Sequence, residues 1–388
     1  MSHQHTTTIN NKPCVLIIYT GGTIGMVKNT ATNTLAPAST SLTDVLDTFP
    51  EFHTDEIPLF DIIVWPQLYD SSDMTPTQYI QLCNNIADNY DKYTGFVILH
   101  GTDTLSYTAS VLSFMLENLG KPVILTGSMI PLSNSISDAK RNLLISLLSC
   151  VSYPAINDVC IYFNNQLIRG NRSHKVNPNN IDAFESMNQP CLATMGVSIQ
   201  LNHEVLLPHK LQRYSFGIYT KLYDVGNIIV IYYTPGLNTN LIKSLFLQST
   251  AEQPVVLVLS LFGSGNAPSI NNTLISMLKY GINECNVEVV VCSQCTTGCV
   301  DMCQYATGYQ IHELGCICAI DMTIECIVGK LMYLLGKGYR KQKLKYYMES
   351  NIRGELTSQK GYGDHTLIHG NDCIPESNNN IMNGMECP

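Results

Sequence analysis

Two short segments place threonine beside glycine directly after a run of apolar residues. The first is Thr20-Gly21-Gly22-Thr23-Ile24-Gly25, and the second is His100-Gly101-Thr102-Asp103-Thr104. Such loops can cradle a phosphate, or they can bring backbone N–H groups close to a developing oxyanion. The phosphate reading fails on spacing. A dinucleotide loop needs Gly-x-Gly-x-x-Gly and a phosphate loop Gly-x-x-x-x-Gly-Lys-Ser/Thr; neither is present, and Asp103 on the same edge would repel a phosphate. A reacting threonine makes another demand, because its hydroxyl is a poor nucleophile at neutral pH without a base or cation nearby. An ordinary carboxylate, titrating at about 4, is a weak proton acceptor. A lysine held against it and desolvated would serve. Spacing alone does not say which of the 22 basic residues that is, and two glycine turns capped by threonines account for the pattern more simply.

The elements that must carry these loops follow from periodicity. Apolar runs rich in β-branched residues recur at 14–19, 96–99, 123–125, 159–163, 228–233, 255–261 and 287–292. Their continuity, without polar alternation, predicts strands buried on both faces, as in parallel sheets. Helical patterns lie between them. Thr75 stands as an N-cap with Pro76 at the first helical position, and Tyr79, Leu82, Cys83, Ile86 and Tyr90 form one stripe. A second helix is expected from Ser137. The alternation predicts an α/β fold: a larger N-terminal domain with a mainly parallel sheet flanked by helices, plus a smaller C-terminal α/β domain. The N-terminal domain is expected over 13–205, a linker without sustained period over 206–226, the C-terminal domain over 227–358 and a flexible tail over 359–388. In an open parallel sheet, sites form outside the carboxyl ends of the strands, so both threonine loops should open onto one edge.

Bulk properties narrow the field further. With 388 residues, 45% of them hydrophobic and 14% charged, the chain can bury a large core. A net charge of −9 argues against a nucleic-acid partner, which calls for a basic face. No run of about 18 apolar residues suits a membrane. The opening "MSHQHTTTINNKP" has neither the basic nor the apolar region of a secretory signal, so a cytoplasmic protein is expected. Fifteen cysteines, an odd number, fit reduced thiols used as small apolar residues. Cys292, Cys295, Cys299 and Cys303 come near the spacing of a zinc or iron–sulfur loop but miss the ferredoxin spacing by about one residue. The strand-like run leading into them favours packing over a metal.

Motifs along the chain carry a resemblance that tips the balance between the two readings. "YTGGTIGM", "DSSDMTP", "GFVILHGTDT", "SFMLENLGKPVILTGS", "FNNQLIRGNRSHK", "GSGNAP" and "YATGYQ…DMTIE…NIRGELT" together resemble the cytosolic type I L-asparaginases, in family order from about residue 13 to 357. The resemblance implies hydrolysis of L-asparagine to L-aspartate and ammonia, with Thr23 as nucleophile. Thr102, Asp103 and Lys175 form the second catalytic group, with Lys175 as its base. Asp103 also meets the substrate α-ammonium, while Asp70, Ser71 and Ser72 belong to the substrate-binding segment. The family completes its sites across a subunit interface, which implies a homodimer or homotetramer in which Asn266 reaches a neighbouring site. No metal and no organic cofactor are implied.

The sequence also departs from the family. Leu35 stands where relatives often place a tyrosine that helps activate the nucleophile. Cys295 matches a residue of an effector site found in some bacterial enzymes, but Ser260 replaces its arginine and His174 a threonine. Losing a bidentate carboxylate partner is a large change, so this effector site is expected to be weak or absent. Three rival readings remain at this level. One is a glutaminase or transfer-RNA amidotransferase subunit, another an asparagine sensor without turnover, and the third a thiol–metal protein.

Overall fold

The structure, a computed structural model, describes residues 12–28, 34–37, 42–153, 155–207, 215–268 and 272–357. The chain divides into two compact units, residues 1–220 and 221–388. The expected tail over 359–388 lies outside the described residues.

Among the described residues of the first unit, eight strands form one sheet. They are β1 (Cys14–Gly21), β2 (Leu59–Tyr69), β3 (Gly95–Leu99), β4 (Val123–Thr126), β5 (Val159–Phe163), β6 (Gln166–Arg169), β7 (Ala193–Met195) and β8 (Ile199–Leu201), in the spatial order β8-β7-β6-β5-β4-β3-β1-β2. The contiguous strands β2, β1, β3, β4 and β5 pair in parallel, and β6 to β8 extend the sheet antiparallel. Every residue of β1, β3, β4 and β5 is buried, which is why these runs carry no polar alternation. Strand β2 is different. It forms the edge, alternates in exposure and contains Pro66, whose missing N–H an edge strand tolerates.

Three helices matter for the site: α1 (Pro76–Asp88), α2 (Leu105–Met115) and α3 (Ala139–Ser152). At the start of α1, the Gln78 carboxamide accepts from both the N–H and the hydroxyl of Thr75, and Tyr79, Leu82, Cys83 and Ile86 are buried as expected. Helix α3 begins two residues beyond Ser137, whose hydroxyl accepts from the Ala139 N–H and donates to the Ile130 carbonyl.

The second unit holds a smaller parallel sheet: β9 (Ile228–Tyr232), β10 (Val256–Leu261), β11 (Glu288–Ser293) and β12 (Ile317–Cys318), paired in that order. Both sheets bear out the α/β expectation. One buried ion pair anchors the end of this unit. Lys330 and Glu355, both 0% exposed, meet at 2.5 Å. The ammonium also donates to the carbonyls of Met348 and Ser350, and the carboxylate accepts from the N–H groups of Ile352 and Arg353. With every lone pair answered, the pair is tolerated in the core, and removing one partner would cost about 3–5 kcal/mol.

Candidate active site

Strands β1 and β3 lie side by side and run the same way, so their loops leave the sheet together. The Thr20 hydroxyl donates to the Leu99 carbonyl at 2.9 Å and ties the two strand ends. Beyond Tyr19 the pairing of β1 with β2 slips, Gly21 falling opposite Tyr69. The slip turns the chain out of the sheet and into a short helical turn, Thr23–Gly25.

Glycine at position 22 is required for two reasons. Its φ of 87° lies in the left-handed region, and a Cβ there would fall 2.5 Å from the Gly101 nitrogen. Gly101 in turn has Ser71 against it, since a Cβ on Gly101 would lie 2.7 Å from Ser71 Oγ. Three segments, 20–25, 69–72 and 100–104, therefore stack in close contact at the carboxyl edge of the sheet. Thr23 and Thr102 each follow by one residue the point where Gly22 and Gly101 touch. Thr23 is half-buried, and among the described residues its hydroxyl has no hydrogen-bond partner.

Lys175 arrives from far along the chain. The segment Ser173–Lys175 pairs antiparallel with Phe184–Ser186, and the fully buried Ser173 hydroxyl donates to the Gly170 carbonyl at 2.7 Å and lies in hydrogen-bond contact with Ser106 Oγ on α2 at 3.1 Å. Docked against the helix that begins just after Thr104, the lysine donates to Thr102 Oγ1 at 2.8 Å and to Asp103 Oδ1 at 2.7 Å. The lysine side chain is 16% exposed and that of Asp103 67%. The residue that spacing could not choose among the basic ones thus meets both members of the second threonine loop.

The 70–72 segment is fixed by the same loop. The Thr104 hydroxyl donates to the Ser71 carbonyl at 2.6 Å. Asp70 Oδ1 accepts from the Ser72 N–H and hydroxyl, each at 2.9 Å. Ser71 is buried, while Asp70 and Ser72 face solvent. Leu35 pairs through its backbone with Lys28 in the two-stranded segment after the Thr23 turn.

Other singled-out residues lie elsewhere. Asn266 belongs to the second unit, where its Oδ1 accepts from the Thr307 hydroxyl at 3.1 Å. Ser260 is buried on β10 and donates to the Ser293 carbonyl at 3.3 Å; the exposed Cys295 donates its N–H to Ser293 Oγ. The cysteine cluster is dispersed in character. Burial pushes the Cys292 thiol up to about 11, and Cys299 is exposed. Cys303 is disulfide-bonded, which corrects the expectation that all these thiols are reduced. Among the described residues, no three His, Cys, Asp or Glu side chains are arranged to hold a metal.

The chain matches the asparaginase N-terminal domain over residues 14–207 and the glutaminase/asparaginase C-terminal domain over residues 227–348. It belongs to the asparaginase family. The L-asparaginase 1 of Escherichia coli is 42% identical over 347 residues, which cover 89% of this chain and 98% of that protein. Among solved structures, the L-asparaginase I of Vibrio cholerae superposes with a TM-score of 0.80 at 41% identity, covering 89% of this chain and all of that one. The thermostable L-asparaginase of Thermococcus kodakarensis reaches a TM-score of 0.76 at 30% identity over 89% of this chain. The asparaginase fold of this chain thus carries both threonine loops on the edge described above.

Two features of this asparaginase site escaped the sequence reading. The Thr104–Ser71 and Ser106–Ser173 contacts join polar residues of unremarkable spacing. His100, quoted within its loop, gave no signal of a role. It is buried, and desolvation lowers its pKa to about 4 against the raising effect of a hydrogen bond with Gly101.

Proposed function

We propose that the chain hydrolyses the side-chain amide of L-asparagine to L-aspartate and ammonia, with Thr23 as nucleophile. The observation that carries this reading is the Lys175 ammonium nitrogen held between Thr102 Oγ1 and Asp103 Oδ1, beside the Gly22–Gly101 contact from which Thr23 emerges. Thr23 Oγ bonds to the amide carbon, its hydroxyl proton is released and the carbonyl electrons move onto oxygen. Backbone N–H groups of the two glycine loops stabilise that oxyanion. The carbonyl then re-forms as the C–N bond breaks, the nitrogen takes up the proton released from Thr23, and ammonia leaves an ester on Thr23. Water attacks the ester as its proton passes through the Thr102 hydroxyl to the neutral amine of Lys175; the bond from Thr23 Oγ to the acyl carbon then breaks, the proton returns to Thr23 and aspartate departs.

Substrate charges find partners in the same place. Asp103 uses Oδ1 for Lys175, and among the described residues Oδ2 has no partner, so it suits the α-ammonium. Ser71, held by Thr104, supplies hydroxyl and N–H donors to the α-carboxylate, and the Ser72 hydroxyl joins them by turning from Asp70 Oδ1. The enzyme works in the cytoplasm as a homodimer or homotetramer, with Asn266 of a neighbouring copy completing each site and no metal or organic cofactor. No helix among the described residues is long and apolar enough to cross a membrane.

Ammonia release by the purified chain tests this reading, with L-asparagine and L-glutamine compared. Asparagine should turn over along a hyperbolic saturation curve, because Ser260 offers no guanidinium to an effector carboxylate. Glutamine, one methylene longer, should be about 10–200-fold poorer. Binding of asparagine without ammonia release would contradict the proposal.

A further inference from the structure

A carboxamide can present an oxygen or an NH2 group, and the packing around Asn266 decides which. Asn266 closes a tight turn that leaves the carboxyl end of β10. Its N–H donates to the Phe262 carbonyl at 2.8 Å, and its carbonyl accepts from the Phe262 N–H at 3.1 Å. Gly263, at a φ of 49°, and Gly265, at 105°, let the chain reverse between them. The Ser293 hydroxyl donates to the Gly263 carbonyl at 2.6 Å, and the Asp301 N–H donates to the Ser264 carbonyl at 3.0 Å. The backbone of Asn266 is therefore fixed before its side chain makes any contact.

Residues 300–302 form a wall against which two neighbours pack. Gly265 lies so close that a Cβ there would fall 3.0 Å from Val300 Cγ1. Gly308 lets the helix Ala306–Glu313 approach until a Cβ at 308 would fall 2.7 Å from the Met302 carbonyl oxygen. That approach brings Thr307, in the first turn of the helix, to Asn266. Its hydroxyl donates to Asn266 Oδ1 at 3.1 Å, and both residues are half-buried. Among the described residues Asn266 Nδ2 has no partner. With the oxygen taken by the hydroxyl proton, the NH2 group is the end left to bind elsewhere.

We propose that Thr307 is a positioning residue that fixes the Asn266 carboxamide so that its NH2 group meets an oxygen acceptor in the neighbouring copy's site. The inference rests on the reading that Asn266 completes that site. Thr307 touches neither substrate nor reacting atoms and acts through the carboxamide it holds. Neither residue exchanges a bond or a proton in the reaction, so their loss falls on substrate binding and not on the chemical step.

Steady-state ammonia release from L-asparagine by variants at both positions tests this. Thr307→Val keeps the shape of the side chain and loses the donor. Its KM should rise about tenfold, with kcat changed by less than about threefold. Thr307→Ser keeps the donor and should stay within about threefold of the wild-type KM. Asn266→Ala should raise KM about 10–100-fold. Adding Thr307→Val to it should change nothing further, because the hydroxyl then has no carboxamide to hold. Asn266→Asp keeps an acceptor for Thr307 but has no NH2 group, so it should be no better than Asn266→Ala; it decides the matter if Thr307→Val does not fold. Serine no better than valine, additive KM effects in the double variant, or Asn266→Asp nearer to wild type than Asn266→Ala would each overturn the proposal. The two readings fail differently. If Asn266→Ala raises KM while Thr307→Val leaves it unchanged, only the positioning role is lost; if Asn266→Ala behaves as wild type, the reading of Asn266 itself is lost.

Discussion

Lys175 Nζ donates to Asp103 Oδ1 at 2.7 Å although 72 residues of chain separate them. The same nitrogen reaches Thr102 Oγ1 at 2.8 Å, so one amine joins the hydroxyl and the carboxylate of adjacent residues. As a base it must be able to lose its proton. Lys175→Met should therefore lower kcat by about 10²–10⁴-fold. Lys175→Arg should not rescue it, because a guanidinium stays charged at any working pH. Steady-state kinetics on both variants check this, and an Arg variant near wild-type activity would show that the cation, not the base, is what the site needs.

A second expectation concerns the contact that sets the nucleophile's loop. Gly22→Ala combines a φ of 87° with a methyl 2.5 Å from the Gly101 nitrogen, and the obstacle is backbone. It should cost about 2–4 kcal/mol of stability and displace Thr23. Gly25→Ala is a different case, since its methyl would lie 1.9 Å from the Tyr19 hydroxyl. Shortening that side chain with Tyr19→Phe should recover part of the Gly25→Ala loss and none of the Gly22→Ala loss. Denaturant titrations of the single and double variants give the comparison; equal recovery in both backgrounds would contradict it.

Much of this arrangement was legible in the sequence, and the exceptions have physical causes. The strands with every residue buried announce themselves as apolar runs. Strand β2 does not, because an edge strand alternates its exposure, and Pro66 reads as a break. The cap at Thr75 was legible because capping is local. The partnership of Lys175 with Asp103 was not, since it is made by docking Ser173 on Ser106; only the resemblance to a family pointed there. Helix α2 hid for a related reason. Its buried face includes Ser106, Thr108, Ser110 and Ser113, so no apolar stripe marks a helix whose polar groups are answered inside the core.

His100 also makes a prediction about acid stability. Its folded pKa of about 4 lies below the ordinary 6.5, so the unfolded chain takes up a proton that the folded chain refuses. This contribution is fully present above about pH 6.5 and is lost as the pH falls toward 4, in all about 3 kcal/mol. Unfolding free energies of wild type and His100→Asn, measured from pH 7.5 to 5, should converge as the pH drops. A difference that stays constant over that window would mean the imidazole charges freely in the folded state.

The central claim is that the Thr23 hydroxyl attacks the amide carbon. The most direct measurement is ammonia release from saturating L-asparagine by Thr23→Ala, with asparagine binding followed by calorimetry on the same sample. The account predicts a rate at least about 10³-fold below wild type with binding retained, because Asp103, Ser71 and Ser72 still hold the substrate. Turnover within about tenfold of wild type would contradict it and make Thr102, with Lys175 beside it, the residue that reacts.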